Sequence, residues 1–209
     1  MTDSSPVGIL GGIFDPVHFG HLATARLALD YFHLKKIYLV PAGTPAHKPA
    51  PLAGPAQRLA MLSLSVENSK GLEVWDGEIR RPGASYTVDT LRELKLRHPE
   101  APLYFIIGSD NLKEIPLWYD YRAILSLAIF CVTHRPSHSL RLPRELEGLK
   151  MKVFPGPEWN ISSSMVRKYL ARGYSCDFLL PAKVIAYIRA NGLYGGSAAI
   201  NHRSPQNIP

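Results

Sequence analysis

The chain has 209 residues, of which 46% are hydrophobic and 20% charged, a balance that suits a single globular domain with its own core. No apolar run approaches the roughly 20 residues that cross a bilayer, the polar start Met1–Pro6 carries no signal-peptide core, and Cys131 and Cys176 form neither a CxxC pair nor a disulfide framework. A membrane partner is therefore not expected, and a reducing cytoplasm is the simplest compartment. The net charge of +7 fits either a solvated basic surface or attraction to anionic ligands; the basic residues of His134–Arg144 and Arg167–Lys168 lack the interleaved aromatics of an RNA-binding surface, so small phosphorylated ligands fit better than nucleic acid.

Val7–Leu10 reads as a buried strand that enters a tight turn at Gly11-Gly12. Phe19–Phe32 has Leu22, Ala25, Leu29 and Phe32 at helical spacing, and a second strand follows at Lys36–Val40, which completes a βαβ unit. Ala42–Gly54, rich in Pro, Gly and Ala, predicts a loop; Pro55 then suits the first turn of a helix to about Val66. Leu72–Trp75 predicts a third strand, Gly77–Arg81 a short edge piece, and Ser85 or Tyr86 the start of a helix to about Arg97, with Val88, Leu91 and Leu94 on one stripe and Leu96 off it. Leu103–Ile107 is the most apolar strand, Leu117–Ser126 reads as helical, Leu127–Thr133 as a fifth strand and Met151–Phe154 as a sixth. Helices are expected over Met165–Arg172, stopped by Gly173, and from Pro181 to near Asn191. Ser197–Pro209 has few apolar residues and two prolines, which predicts a disordered tail. The alternation predicts a doubly wound, Rossmann-like α/β parallel sheet, in which ligands bind at the carboxyl ends of the strands. The segments after the first, fourth and fifth strands can meet there.

Gly11–His21 is the densest of these segments. Glycines after a strand let the backbone approach a ligand closely, and the helix that follows favours negative charge at its amides. His18 and His21, three apart, lie on one face of the opening turn. Two imidazoles beside such a turn suit a phosphate chain, and they can donate hydrogen bonds where charge builds in a transferring group. Zinc ligation is a competing reading, but no Cys, Glu or third His stands nearby. Capping or packing roles are another. The segment is neither a Walker A loop nor a GxGxxG turn.

Gly11-Gly12-Ile13-Phe14-Asp15-Pro16-Val17-His18-Phe19-Gly20-His21 resembles the signature of the nucleotidyltransferase superfamily that carries a His-x-x-His motif, and its longer form resembles that of the bacterial nicotinate-nucleotide adenylyltransferases. The likeness spans about residues 7–195. It implies a nucleotidyltransferase (HUP-like) fold with one domain over 1–196, including a C-terminal helical part over about 157–196. Ile161-Ser162-Ser163-Ser164-Met165-Val166-Arg167 resembles the family motif that binds the β- and γ-phosphates of ATP, with Ser164 where Thr is usual. Serines at a helix start are also plain caps, while Arg167 is a residue type that grips phosphate in a bidentate way. By the same resemblance Gly108-Ser109-Asp110 lies near ATP, Lys48 of His47-Lys48-Pro49 faces the phosphates, and Arg135 of Arg135-Pro136 touches the mononucleotide phosphate. Ser85-Tyr86-Thr87 opens a helix that receives the nicotinate carboxylate, and Trp118 stacks on the pyridine ring. Without the resemblance, Lys48 reads as a solvated lysine, Ser85 as a helix cap and Trp118 as core.

The resemblance therefore implies adenylyl transfer from ATP to nicotinate mononucleotide in NAD biosynthesis. It gives His18, His21, Lys48 and Arg167 as the catalytic set. Gly11, Gly12, Ile13, Phe14, Gly108, Asp110, Ile161, Ser162 and Ser163 join His18, His21 and Arg167 on ATP, and Lys48, Tyr86, Thr87, Trp118 and Arg135 take the acceptor. Mg²⁺ is expected with ATP rather than in a protein cage. Nicotinamide mononucleotide and phosphopantetheine are the rival acceptors, and a non-catalytic nucleotide sensor or RNA-binding protein is the rival class. Some relatives carry an Asn near the acceptor where this chain has Ala42-Gly43-Thr44, and the basic loop Ser137–Lys150 has no usable motif.

Overall fold

The computed structural model describes residues 4–45, 49–134, 143–146, 149 and 151–195. Its strands and helices run in the order β1 (Val7–Gly12), α1 (Phe19–Tyr31), β2 (Lys36–Pro41), β3 (Thr44–Pro45), α2 (Pro55–Val66), β4 (Leu72–Val74), α3 (Gly77–Arg80), β5 (Ala84–Ser85) and α4 (Thr87–Arg97). Then come β6 (Leu103–Gly108), a 3₁₀ helix (Ser109–Leu117), α5 (Tyr121–Leu127), β7 (Ile129–His134), β8 (Met151–Pro155), α6 (Ser163–Ala171) and α7 (Ala182–Ala190), with short 3₁₀ turns at Arg144–Leu146 and Leu193–Gly195.

Six strands form one parallel sheet in the order β4-β2-β1-β6-β7-β8. The chain thus winds one way from β1 through β2 to β4, and the other way from β6 to β8, as in the doubly wound fold expected from the sequence. The switch point lies between β1 and β6, where Val7 pairs with Leu103 and Ile9 with Phe105. Beyond Phe105 the two strands no longer pair, and the space that opens at their carboxyl ends is the mouth of the cleft described below.

Alternate residues of the central strands feed two separate cores, as the period of two requires. Leu10, Leu39, Ile106 and Cys131 pack with α1, α2, α6 and α7 on one face. Ile9, Val40, Phe105, Ile107 and Val132 pack with α4 and α5 on the other. Val88, Leu91 and Leu94 are buried along α4 while Leu96 is 82% exposed, which matches the stripe read from the sequence.

Three local expectations are corrected. Gly77–Arg81 is not an edge strand: Gly77–Arg80 form the single-turn helix α3. The stretch Leu117–Ser126 is not one helix: a 3₁₀ helix ends at Leu117 after Pro116, Asp120 takes a left-handed conformation (φ 50°), and α5 starts only at Tyr121. Left-handed backbone cannot continue an α-helix, so Trp118 sits in an extended break between the two. The loop Ala42–Gly54 holds one small pairing, β3 with β5. Residues 196–209, including the expected tail, and the greater part of the basic loop 137–150 lie outside the described residues. Among the described residues no helix is long and apolar enough to cross a membrane.

Candidate active site

A cleft of about 680 Å³ opens at the switch point. Its walls are the β1–α1 turn, the end of β6 with the residues after it, and the start of α6. All twelve residues expected to contact ATP line it: Gly11, Gly12, Ile13, Phe14, His18, His21, Gly108, Asp110, Ile161, Ser162, Ser163 and Arg167. They come from segments about 150 positions apart in sequence, which the doubly wound topology brings to one edge.

The two histidines stack. Their ring centroids are 3.6 Å apart and the planes differ by 21°. His18 is 4% exposed and precedes the first residue of α1. Its backbone N–H donates to Nδ1 of His21 at 3.3 Å. An accepting Nδ1 carries no proton, so a neutral His21 holds its proton on Nε2 and can donate from there. Gly20 makes the stacking fit, because a Cβ at that position would lie 3.0 Å from Nδ1 of His18. The ring of Phe14 meets His21 edge-on at 5.0 Å, and Phe14 itself is a left-handed non-glycine residue (φ 52°). Such a conformation persists only where the surroundings hold it, and here a 1% exposed side chain is wedged behind the histidine.

On the facing wall Ser162 caps α6, accepting the Met165 N–H at 3.2 Å. Its capping role, read from the sequence, is thus real and leaves the first amides of the helix without intrahelical partners. The Ser163 hydroxyl donates to Pro16 O at 2.9 Å, so Ser163 ties α6 to the β1–α1 turn and has its backbone N–H, rather than its hydroxyl, to offer a ligand. Arg167 donates to Asp15 O at 2.7 Å and lies 3.7 Å from the Asp15 carboxylate.

Two buried charged residues to which no role was expected from the sequence hold this wall together, Asp15 on the cleft wall itself and Arg58 behind it. Asp15 is 4% exposed, and its carboxylate accepts the Leu52 N–H (2.8 Å), the Ala53 N–H (3.0 Å) and the Tyr194 hydroxyl (2.5 Å). Arg58 is 0% exposed, and its guanidinium donates to the carbonyls of Ile13 (2.9 Å), Gly43 (3.0 Å) and Ala53 (3.2 Å). One buried cation therefore joins the phosphate-side turn to the loop after β2. The Gly43 peptide is held from both sides, since its N–H donates to the Ser85 hydroxyl at 2.9 Å. Ser85 thus bridges to that loop, and the residue at the α4 cap position is Tyr86, which makes no side-chain capping bond. Position 43 has no room for a Cβ, which would collide with the Glu78 carbonyl oxygen. Glu78 accepts the Thr90 hydroxyl at 2.6 Å, and burial pushes its carboxyl above the usual range. A signal for Arg58 was present: it sits on the stripe of Met61, Leu62 and Val66, where a charge must find buried partners.

Trp118 lines the cleft, packed edge-on against Phe105 at 6.0 Å. Tyr86 and Thr87 stand at the start of α4, outside the residues that line the cleft, with Tyr86 against Tyr119 at 4.9 Å. Lys48 and Arg135 lie outside the described residues. Thr133 also lines the cleft, is 6% exposed, and its hydroxyl finds no hydrogen-bond partner among the described residues. Burial pushes the Cys131 thiol up to about 12 and raises that of Cys176, so neither is a ready thiolate.

The family model described as cytidylyltransferase-like matches residues 9–169. Proteins named probable nicotinate-nucleotide adenylyltransferase in Opitutus terrae and Desulfitobacterium hafniense are each 40% identical to the chain, over 90% of its length and 97% and 95% of theirs. The chain belongs to the nicotinate-nucleotide adenylyltransferase family. It is similar in fold to Plasmodium falciparum nicotinic acid mononucleotide adenylyltransferase complexed with APC, with a TM-score of 0.75 at 22% identity over 93% of this chain and all of that one. The same enzyme complexed with NaAD gives a TM-score of 0.73. Membership makes this chain a nucleotidyltransferase.

Among the described residues no three His, Cys, Asp or Glu side chains gather as a metal site. Asp15 and Asp110 are the acidic residues on the cleft wall, and Asp15 is engaged with its own partners. Asp110 is thus a carboxylate on this wall that fits a divalent ion carried on a nucleotide.

Proposed function

We propose that this cleft transfers the adenylyl group of ATP to nicotinate mononucleotide, forming nicotinate adenine dinucleotide and pyrophosphate, as a cytoplasmic step of NAD biosynthesis. The observation that carries this reading is the meeting on one cleft of two elements suited to phosphate, the stacked His18–His21 pair and the Ser162–Arg167 helix start.

An oxygen of the acceptor's phosphate attacks the α-phosphorus of ATP. The bond to the bridging oxygen breaks, and its electron pair leaves with pyrophosphate. A phosphate monoester has a second pKa near about 6, so the attacking oxygen is already largely unprotonated at neutral pH. No enzyme nucleophile is needed, in keeping with the unreactive cysteines. Catalysis then comes from alignment and charge stabilisation. His21 donates from Nε2, with His18 beside it, to the α- and β-phosphates. Arg167, Lys48 and the amides of Ser162 and Ser163 take the leaving pyrophosphate. Gly11–Phe14, Gly108, Asp110 and Ile161 complete the ATP wall. On the acceptor side the α4 start at Tyr86–Thr87 receives the nicotinate carboxylate, Trp118 stacks on the pyridine ring and Arg135 meets the mononucleotide phosphate. Mg²⁺ bound with ATP would supply further charge neutralisation, and Asp110 is the protein carboxylate on that wall that would help hold it.

Pyrophosphate release with ATP and a panel of acceptors tests the reading. Turnover should be fastest with nicotinate mononucleotide, slower with nicotinamide mononucleotide and absent with phosphopantetheine. Preference for either of the other two would overturn the assignment of the acceptor.

A further inference from the structure

Near the C-terminal end of the described chain, residues 193–195 form a short turn that runs back across α6. Two contacts place it. A Cβ on Gly195 would lie 3.4 Å from Cα of Ala171, so the turn passes closely over α6 one helical turn beyond Arg167. The Tyr194 hydroxyl donates to Oδ1 of Asp15 at 2.5 Å, across 179 positions of sequence. Asp15 is the residue that Arg167 touches twice, at its carbonyl and at its carboxylate. The turn therefore reaches the helix that carries Arg167 and the residue that holds it.

The backbone at Tyr194 is left-handed (φ 58°, ψ 25°); Gly192 and Gly195 on either side also take positive φ, which costs a glycine little and a tyrosine more. Strain of this kind survives only where other contacts over-determine it, and the bond to Asp15 is the contact the tyrosine adds. The hydroxyl is a lasting donor, because burial and the Asp15 carboxylate both raise its pKa. On Asp15, Oδ1 accepts Ala53 N–H and Tyr194, while Oδ2 accepts Leu52 N–H and faces Arg167. With every donor in place the carboxylate is shared out and Arg167 leans on the backbone carbonyl, its guanidinium on the cleft wall. Without the tyrosine hydroxyl the carboxylate has one donor fewer and draws Arg167 inward.

We infer that Tyr194 is a positioning residue for adenylyl transfer: through Asp15 it sets the aim of Arg167 at the departing pyrophosphate. The inference rests on the function proposed above. It assigns Tyr194 to the ATP side alone, which a merely structural role would not do.

Tyr194→Phe keeps the ring and removes the bond. The variant should melt within a few degrees of wild type, raise KM for ATP or lower kcat by about 10-fold, the size expected for a lost bond to a charged group, and leave KM for nicotinate mononucleotide within about 2-fold. Asp15→Asn, which keeps an acceptor oxygen but removes the charge facing Arg167, should shift the same parameters. In an Arg167→Ala background Tyr194→Phe should add nothing, because both act through one group. A folded Tyr194→Phe variant with wild-type parameters, equal losses on both substrates, or full additivity with Arg167→Ala would overturn the inference. Calorimetric titration with pyrophosphate separates it from the reading it rests on. If wild type turns over no acceptor, adenylyl transfer fails, and the aim of Arg167 is then judged on this affinity: about 10-fold weaker binding in the variant sustains it and equal binding overturns it.

Discussion

The two sides of the cleft are built differently. The proposed ATP side is made of backbone turns and helix starts wired together by buried charge: Asp15 ties Leu52, Ala53, Tyr194 and Arg167 to the β1–α1 turn, and Ser163 ties α6 to Pro16. The proposed acceptor side is made of rings and one helix start: Trp118 on the cleft wall against Phe105, and, beyond the cleft lining, Tyr86 against Tyr119 ahead of α4. A phosphate chain demands donors fixed before charge develops, and a rigid network supplies them. A planar ring needs a stacking surface and a carboxylate needs a few amides, so the second wall can be looser. Arg58 and the Gly43 peptide are the joint between the two.

The sharpest way to break this contrast is on the ATP side. His21→Ala should lower kcat on the order of 10²-fold with little change in melting temperature, as for loss of a transition-state donor. Near-normal kcat in a folded variant would remove His21 from the mechanism. Trp118→Ala should raise KM for the acceptor about 10-fold, the cost of one lost stacking surface, and leave KM for ATP unchanged. An equal effect on both substrates would mean that Trp118 is core. Thr133→Val, nearly isosteric, asks whether the orphan hydroxyl meets a ligand. About 3- to 10-fold weaker ATP binding is expected by calorimetry if a hydrogen bond is lost, and unchanged binding would mean it faces none.

The smallest effect concerns the joint and is one of pH. The Glu78 carboxyl holds its proton more tightly when folded than unfolded, so its contribution to stability is full in acid and is lost as pH rises through the raised value. Glu78→Gln should therefore flatten the decline of melting temperature above the usual carboxylate range relative to wild type. Parallel melting curves for the two proteins would contradict the burial argument.

The sequence was most legible where one local rule governs. Pro55 and Val66 bound α2 as expected, and the strand–glycine–helix pattern gave β1, α1 and their turn. It was least legible where distant partners decide. The helix signals around Gly77, Asp76 before it, Glu78 in the first turn and Arg80 in the last, span a single turn too short to show a period, and Trp118 looked helical because the left-handed Asp120 that interrupts the run is marked by one residue type alone. The site residues that line the cleft were named from motifs. Arg58 had a signal in its place on a buried stripe, but its partners at Ile13 and Gly43 lie on other elements; Tyr194 stands in a closing segment, Tyr187-Ile188 to Leu193-Tyr194, that resembles the family's, yet its bond to Asp15 crosses 179 positions and no local rule announces it. Asp15 stood inside the motif, yet as a buried hub it offers the ligand nothing that a pattern of residue types would flag.

The central claim is transfer of the adenylyl group rather than of a terminal phosphate. The direct test is incubation with nicotinate mononucleotide and ATP radiolabelled at the α-phosphate. The label should appear in nicotinate adenine dinucleotide in step with pyrophosphate release. Label retained in ADP, or in AMP with no dinucleotide formed, would contradict the account.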